Sequence, residues 1–312
     1  MSARELIALG TASQVPTRER NHNGYFLRWD GEGLLFDPGE GTQRQMLFAG
    51  ISATDVTKIL ITHLHGDHCL GLPGVLQRLS LDRVEHEVEL YYPAAGSSYI
   101  EHLKHASAYF ETATIRDHPI SAPGEIFVGP GFRMSAQPLE HSVPSWGYRI
   151  QEDDSVTMLP EKLAAFGLHG PDVGRLKETG SLRLGDSTVT LDEVSQPRRG
   201  QSLAFVMDTR LCDGAAALAH EVDLLVCEST FLASETEEAA AYGHLTATQA
   251  AELAQRSHAT RLVLTHFSQR YPTVDPFLRE TEGIHADVVA VRDGDLVEMP
   301  SRARFDRGVQ AP

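Results

Sequence analysis

An α/β fold is predicted for this chain of 312 residues, and three observations predict it. Short apolar runs of strand length alternate with longer stretches of helical period along the sequence. Three of those runs end on a histidine or aspartate, the place where a rigid strand can hold a ligand firmly. A capping box, Thr246-Ala247-Thr248-Gln249, opens one of the helical stretches.

The elements follow in order. Strands are predicted over Leu6–Leu9, Gly24–Trp29, Gly33–Phe36 and Lys58–Thr62, each an apolar run bounded by polar or glycine-containing turns. Later strands are predicted over Val88–Tyr92, Arg133–Ala136, Gly147–Ile150, Ser202–Met207, Leu224–Cys227 and Arg261–Thr265. Helices are predicted over Gln43–Ala49, Leu72–Leu81, Gly96–Ala108, Cys212–His220 and Thr246–Ser257. The capping box sets His244 in the loop just before the last of these. No internal repeat or low-complexity tract interrupts the pattern.

Composition narrows the class. Hydrophobic residues are 41% and charged residues 22%, ordinary for a soluble globular protein. No apolar run approaches the length of a bilayer span, so no membrane partner is expected. No signal-peptide apolar region follows Met1-Ser2-Ala3-Arg4-Glu5. Cys69, Cys212 and Cys227 are odd in number and widely spaced, which argues against disulfides and for the cytoplasm.

The most informative segment is His63-Leu64-His65-Gly66-Asp67-His68, directly after the apolar run Ile59-Leu60-Ile61-Thr62. Imidazole and carboxylate together suit zinc, and also manganese or iron, better than magnesium or calcium. His63 and His65, two apart on an extended segment, point to the same side. Asp67 and His68 lie nearer a helix start and can serve a neighbouring ion, so two metals fit better than one. Desolvating four such groups without a cation would be costly. Cys69 beside His68 reads as a packed small residue rather than a ligand. Further ligands are expected at strand ends: Asp208 after Gln201–Met207, His266 after Arg261–Thr265, and His141 in the loop before Ser142-Val143-Pro144. Each of these alone would pass for a turn or surface residue. The remaining histidines, among them His86, His102, His105, His118, His169, His220, His258 and His285, carry no such pattern.

This set of residues resembles the metallo-β-lactamase superfamily, and within it the ribonuclease Z family of short bacterial type. Narrower features carry the second resemblance. Pro16-Thr17-Arg18-Glu19-Arg20-Asn21 resembles the family's Pro-x-(Lys/Arg)-x-Arg-Asn loop. Phe36-Asp37-Pro38-Gly39-Glu40-Gly41-Thr42-Gln43 resembles its Asp-Cys-Gly-Glu-Gly-Thr-Gln segment, with Pro38 for cysteine. Cys227-Glu228-Ser229-Thr230 matches the His-Glu-Ala-Thr motif except at its first and third positions. Gly243-His244-Leu245-Thr246 matches His-Ser-Thr except at Leu245. The resemblance spans residues 5 to about 271.

The resemblance implies an αββα sandwich and an endoribonuclease that cuts precursor tRNA 3′ of the discriminator nucleotide, leaving a tRNA 3′-hydroxyl and a 5′-phosphorylated trailer. It implies two zinc ions per chain: His63, His65 and His141 at one, Asp67, His68 and His266 at the other, Asp208 between them. It implies catalytic roles for Asp67, for His244 as proton donor to the leaving oxygen, and for Glu228 behind His244. Arg18, Arg20 and Asn21 are expected to meet substrate, and Arg270 to hold a phosphate. A homodimer is expected.

Residues 151–200 behave differently within an otherwise single hydrolase domain spanning 1–312. Their glycines and charges show no long apolar period, and a loop of this size is usually functional or disordered. Gly167-Leu168-His169-Gly170-Pro171 followed by Lys177 resembles the family's flexible tRNA-binding arm, which makes Gly170, Pro171 and Lys177 candidate substrate contacts. A net charge of −16 opposes nonspecific attraction to RNA. The basic residues are grouped, however: Arg18 and Arg20 in one loop, and Lys162, Arg175, Lys177, Arg183, Arg198 and Arg199 in one segment. A phosphodiesterase acting on small diesters would share every ligand but would have no use for residues 151–200. A thioester or lactam hydrolase would not need Glu228, His244 or the Arg18–Arg20 loop. A noncatalytic RNA-binding scaffold would not need the intact ligand set.

Overall fold

In the computed structural model, residues 4–185 and 187–301 are described. Two seven-stranded sheets form the larger of two compact units. The first sheet runs in the order Leu296–Glu298, Arg4–Gly10, Gly24–Trp29, Glu32–Phe36, Lys58–Leu60, Val88–Pro93, Ile115–Ile120. The second runs Val288–Ala290, Arg261–Thr265, Leu224–Glu228, Ser202–Val206, Ser145–Glu152, Phe132–Leu139, Gly124–Gly129. The first four strands pair antiparallel, and the next three join them in parallel register. In the second sheet, Ser202–Val206, Leu224–Glu228, Arg261–Thr265 and Val288–Ala290 are all parallel.

Period-two alternation explains the layering. A strand buried on both faces sends alternate residues to different partners. Phe26 and Leu35 turn outward, onto the apolar side of helices Thr42–Phe48, Leu72–Leu81 and Ser97–Lys104. Ala204, Val206, Leu225, Cys227, Leu262 and Leu264 likewise meet Asp213–Ala219, Ala247–Arg256 and Asp275–Thr281. The intervening residues face the other sheet. There Phe205 lies 5.2 Å from Tyr25 and 4.5 Å from Phe36, ring to ring, and joins the two sheets. A fully buried phenylalanine of this kind contributes about 3–5 kcal/mol. The result is four layers, helix, sheet, sheet, helix, as the resemblance implied.

Most of the expected elements are present within a residue or two. The strand before the histidine cluster ends at Leu60 rather than Thr62: Ile61 N still donates to Tyr91 O, but Thr62 N turns to the Asp37 side chain and carries the chain into the site. The helix expected over Gly96–Ala108 is shorter, Ser97–Lys104. Ile115–Ile120 and Gly124–Gly129 escape the sequence pattern. As outer strands of their sheets they bury only Ile120 fully, so no alternation of buried residues marks them.

The second unit comprises Gln151–Gln201 with Pro130–Phe132. It is built rather than featureless. Two antiparallel strand pairs, Ser155–Met158 with Ser195–Arg198 and Ser181–Leu184 with Ser187–Thr190, accompany helices Pro160–Ala165, Pro171–Thr179 and Leu191–Val194. Leu168, Leu176, Val189 and Val194 close over a small core. These residues are too irregularly spaced to register as a period, which is why the sequence reads as a loop.

Candidate metal centre and proton-transfer pair

Strand ends deliver the site. His63 and His65 follow Lys58–Leu60, and Asp67 and His68 lie in the short helix Gly66–Cys69. His141 sits between Phe132–Leu139 and Ser145–Glu152. Asp208 follows Ser202–Val206, and His266 follows Arg261–Thr265. Asp208 and His266 have φ of 41° and 62°, a left-handed conformation that costs about 1–3 kcal/mol outside glycine. Each strand thus turns sharply at its end and aims the side chain at one point. Gly39 and Gly71 permit the loops beneath to touch: a Cβ on Gly39 would meet Asp67 O at 2.2 Å, and one on Gly71 would meet Gly39 O at 1.9 Å.

The seven residues converge in two groups. His63 Nε2, His65 Nδ1 and His141 Nε2 lie 3.1 and 3.2 Å apart in succession. Asp208 Oδ2 stands 3.6 Å from His63 Nε2 and 3.7 Å from His141 Nε2. In the second group Asp67 Oδ2 is 3.3 Å from His68 Nε2 and 3.6 Å from His266 Nε2. The other oxygen of Asp208 faces this group, 3.3 Å from His68 Nε2 and 3.2 Å from His266 Nε2. One carboxylate therefore offers an oxygen to each set of imidazoles.

Hydrogen bonds behind the cluster fix the tautomers. Thr62 Oγ1 donates to Asp37, so it accepts from His63 Nδ1 at 3.0 Å. Thr230 Oγ1 donates to Glu228, so it accepts from His266 Nδ1 at 2.7 Å. His68 Nδ1 faces the Asp37 carboxylate at 2.8 Å, and His141 Nδ1 donates to the Gly243 carbonyl at 2.9 Å. With Nδ1–H turned outward in all four, the Nε2 lone pairs converge inward, the arrangement typical of metal-binding histidines. Asp208 Oδ1 and His266 Nε2 are buried without hydrogen-bond partners, which is costly unless a cation satisfies them.

Charge points the same way. Burial holds His63 well below the usual imidazole range, and the neighbouring histidines add to this. Burial also opposes charge on His68, but Asp208, Asp67 and Asp37 outweigh it and hold that ring well above the usual range. Asp67 and Asp208, despite burial, are held far below the usual carboxylate range by the surrounding imidazoles. Positive charge is favoured at this spot, whether proton or metal. The donor set fits two divalent ions of the zinc, manganese or iron kind.

Beside the cluster, His244 Nδ1 lies 3.1 Å from Glu228 Oε1 and 3.8 Å from Asp208 Oδ2. Glu228 is fully buried and accepts from Thr209 N at 2.7 Å and from Thr230 Oγ1 at 2.6 Å. Burial pulls the His244 ring down, but Glu228 and then Asp208 push it up to about 9. A cleft of about 480 Å³ opens over these groups, lined also by Phe231, Tyr242 and Arg270.

The metallo-beta-lactamase superfamily model matches residues 17–176. The chain is 55% identical over 304 residues to Ribonuclease Z of Nocardia farcinica, covering 97% of this chain and all of that one. It belongs to the ribonuclease Z family. It is also 52% identical to Ribonuclease Z of Thermobifida fusca over 316 residues, 100% of this chain and 99% of the other. The crystal structure of human tRNase Z, short form, matches with a TM-score of 0.70 at 26% identity, covering 95% of this chain and 100% of that one.

Two departures from the ribonuclease Z motifs are explained by packing. Cys227 points away from the site into the layer of helices, where it is fully buried, and Leu245 is buried in the same cluster. Neither side chain is available to the cleft, and both suit an apolar position. Cys69 is a packed residue, its thiol donating to His65 O, and burial pushes it up to about 12.

The other expected substrate contacts fare differently. Arg270 lines the cleft, its guanidinium 4.9 Å from the Phe231 ring centroid. Arg18 is exposed. Arg20 is not: it is buried and donates to the carbonyls of Ser268 and Tyr271, fastening the loop that carries Arg270. Asn21 spends its side-chain amide on Glu40 O and His22 O. In the second unit, Gly170 (φ 40°) and Pro171 open the helix Pro171–Thr179, on which Lys177 is exposed. The sequence reading missed Asp37, Thr230 and the Gly243 carbonyl as partners of the imidazoles. Asp37 did carry a signal, since it follows the apolar Leu34-Leu35-Phe36 as Asp208 and His266 follow their strands.

Proposed function

We propose that this chain is a zinc-dependent endoribonuclease that cleaves precursor tRNA 3′ of the discriminator nucleotide, leaving a tRNA 3′-hydroxyl and a 5′-phosphorylated trailer. The observation that carries this reading is the His244–Glu228 pair beside the double ligand cluster, in a chain 55% identical to a Ribonuclease Z along nearly its whole length. His63, His65 and His141 would hold one zinc ion, Asp67, His68 and His266 the other, with Asp208 shared. Bound there, divalent ions supply Lewis acidity for the phosphoryl oxygens and a more acidic water.

The remaining work falls to the protein's own groups. Asp67, at the cleft wall, accepts a hydrogen bond from the attacking water and orients it. His244 holds its Nδ1 proton against Glu228, which leaves Nε2 for the leaving 3′-oxygen. Glu228 keeps the ring protonated near neutral pH, the state a general acid requires. Arg270 offers a cation to a neighbouring phosphate, and Arg18 and Asn21 border the RNA end. Residues 151–200, through Gly170, Pro171 and Lys177, form a tRNA-binding arm inserted into a single hydrolase domain. None of the described helices is long and apolar enough to cross a membrane. We place the protein in the cytoplasm, as a homodimer.

The runner-up is a phosphodiesterase for small diesters. Rates on a precursor tRNA with a 3′ trailer and on bis(p-nitrophenyl) phosphate separate the two. A kcat/KM orders of magnitude higher on the RNA supports the proposal, and parity or the reverse favours the runner-up.

A further inference from the structure

The cleft contains a large, exposed aromatic side chain that the chemistry above does not use. Tyr242 lines it together with His244, Phe231 and Arg270, yet is 63% exposed. Its hydroxyl has no hydrogen-bond partner among the described residues. Phe231, in the same cleft, is only 5% exposed and is already covered by the Arg270 guanidinium. A single exposed ring is ordinary on a protein surface, but this one lines the cleft that holds His244 and the ligand cluster, where substrate must pass.

The backbone under Tyr242 is held from several directions. It ends the helix Thr236–Tyr242, which closes on Gly243 at φ 78°. A Cβ on Gly243 would lie 3.0 Å from His141 Nδ1, so this turn accepts only glycine without displacing a metal-ligand candidate. Arg210 Nε donates to Ala240 O at 2.8 Å, and His141 Nδ1 donates to Gly243 O at 2.9 Å. His244 N closes the turn on Ala239 O at 2.8 Å. The segment is thus tied directly to the ligand cluster, and Tyr242 stands two residues from His244. A rigid backbone bearing an exposed aromatic face, next to a cation suited to phosphate, has the make-up of a base-stacking platform.

We propose that Tyr242 stacks on a nucleobase flanking the scissile phosphate and so helps to fix the RNA strand in register with His244. The proposal rests on the endoribonuclease reading. Stacking uses the ring and not the hydroxyl, so it predicts an unusual pattern of tolerance. Tyr242→Ala should raise KM for precursor tRNA by roughly tenfold, in line with the loss of one aromatic–base stack. Tyr242→Phe and Tyr242→Trp should keep KM near the wild-type value.

The closing experiment pairs these variants with precursor tRNAs that carry an abasic residue on either side of the cut. If the wild-type enzyme does not cleave the unmodified precursor, the endoribonuclease reading has failed. Given cleavage, the inference expects one abasic substrate to raise wild-type KM by a similar factor and to abolish the difference between wild type and Tyr242→Ala. It is overturned if Tyr242→Phe is as impaired as Tyr242→Ala, or if the Ala penalty persists on both abasic substrates. Should Tyr242→Ala fail to fold, Tyr242→Phe with the wild-type abasic comparison still decides: an unaffected wild-type KM on both abasic substrates overturns it.

Discussion

Glu228 Oε1 faces His244 Nδ1 at 3.1 Å from a fully buried position, while Oε2 of the same carboxylate takes the Thr230 hydroxyl that supports His266. One side chain thus braces both the candidate proton donor and a candidate metal ligand. The consequences for pH and for metal occupancy can be separated by mutation.

His244 is pushed up to about 9, chiefly because Glu228 outweighs the cost of burial. In the proposed mechanism the protonated ring is the active form, present below this value and lost as pH rises through it. In Glu228→Gln the negative charge disappears and the alkaline limb of the kcat profile should move to lower pH, by about one to three units. An unmoved limb would mean that another group sets it.

His244→Ala should keep metal content and tRNA affinity but lower kcat by roughly a hundredfold or more, the scale expected for a lost general acid. Single-turnover cleavage and tRNA binding, measured side by side, check this. Normal cleavage by the variant would make His244 structural.

His63→Ala should lose both activity and metal. Two transition-metal ions per chain are expected in the wild type by elemental analysis, and removal by a chelator should abolish cleavage until zinc is returned. Active protein without a stoichiometric transition metal contradicts the ligand assignment.

Replacing Leu168 to Lys177 with a short Gly/Ser linker should weaken precursor tRNA cleavage strongly through KM, while hydrolysis of bis(p-nitrophenyl) phosphate changes little. Leu168 and Leu176 belong to the small core of the second unit, so the replacement disassembles that core. Loss of both activities would show that the hydrolase unit depends on it.

The site was legible in the sequence to the extent that it is local. His63 to His68 are contiguous, and Asp208 and His266 stand where apolar strands end, so residue type and position were enough. Their partners were not legible, because contacts such as His68 with Asp37 or His141 with Gly243 O join segments 31 and 102 residues apart. Arg20 illustrates the converse. Its motif suggested substrate, but its guanidinium is buried beneath the loop at Ser268 and Tyr271. The sheets' interior strands were legible through their continuous apolar runs. Ile115–Ile120 and Gly124–Gly129 were not, since exposure removes the pattern. Residues 151–200 hid a core of four widely separated aliphatic residues.

The central claim is that this metal centre hydrolyses a tRNA precursor at one bond. The most direct measurement is to incubate the zinc-loaded protein with an end-labelled precursor tRNA carrying a 3′ trailer, and to map the cut and its end groups to the nucleotide. A single cut 3′ of the discriminator, with a 3′-hydroxyl on the tRNA and a 5′-phosphate on the trailer, is the result predicted. Cleavage at scattered positions, a 3′-phosphate on the tRNA, or no cleavage at all would contradict it.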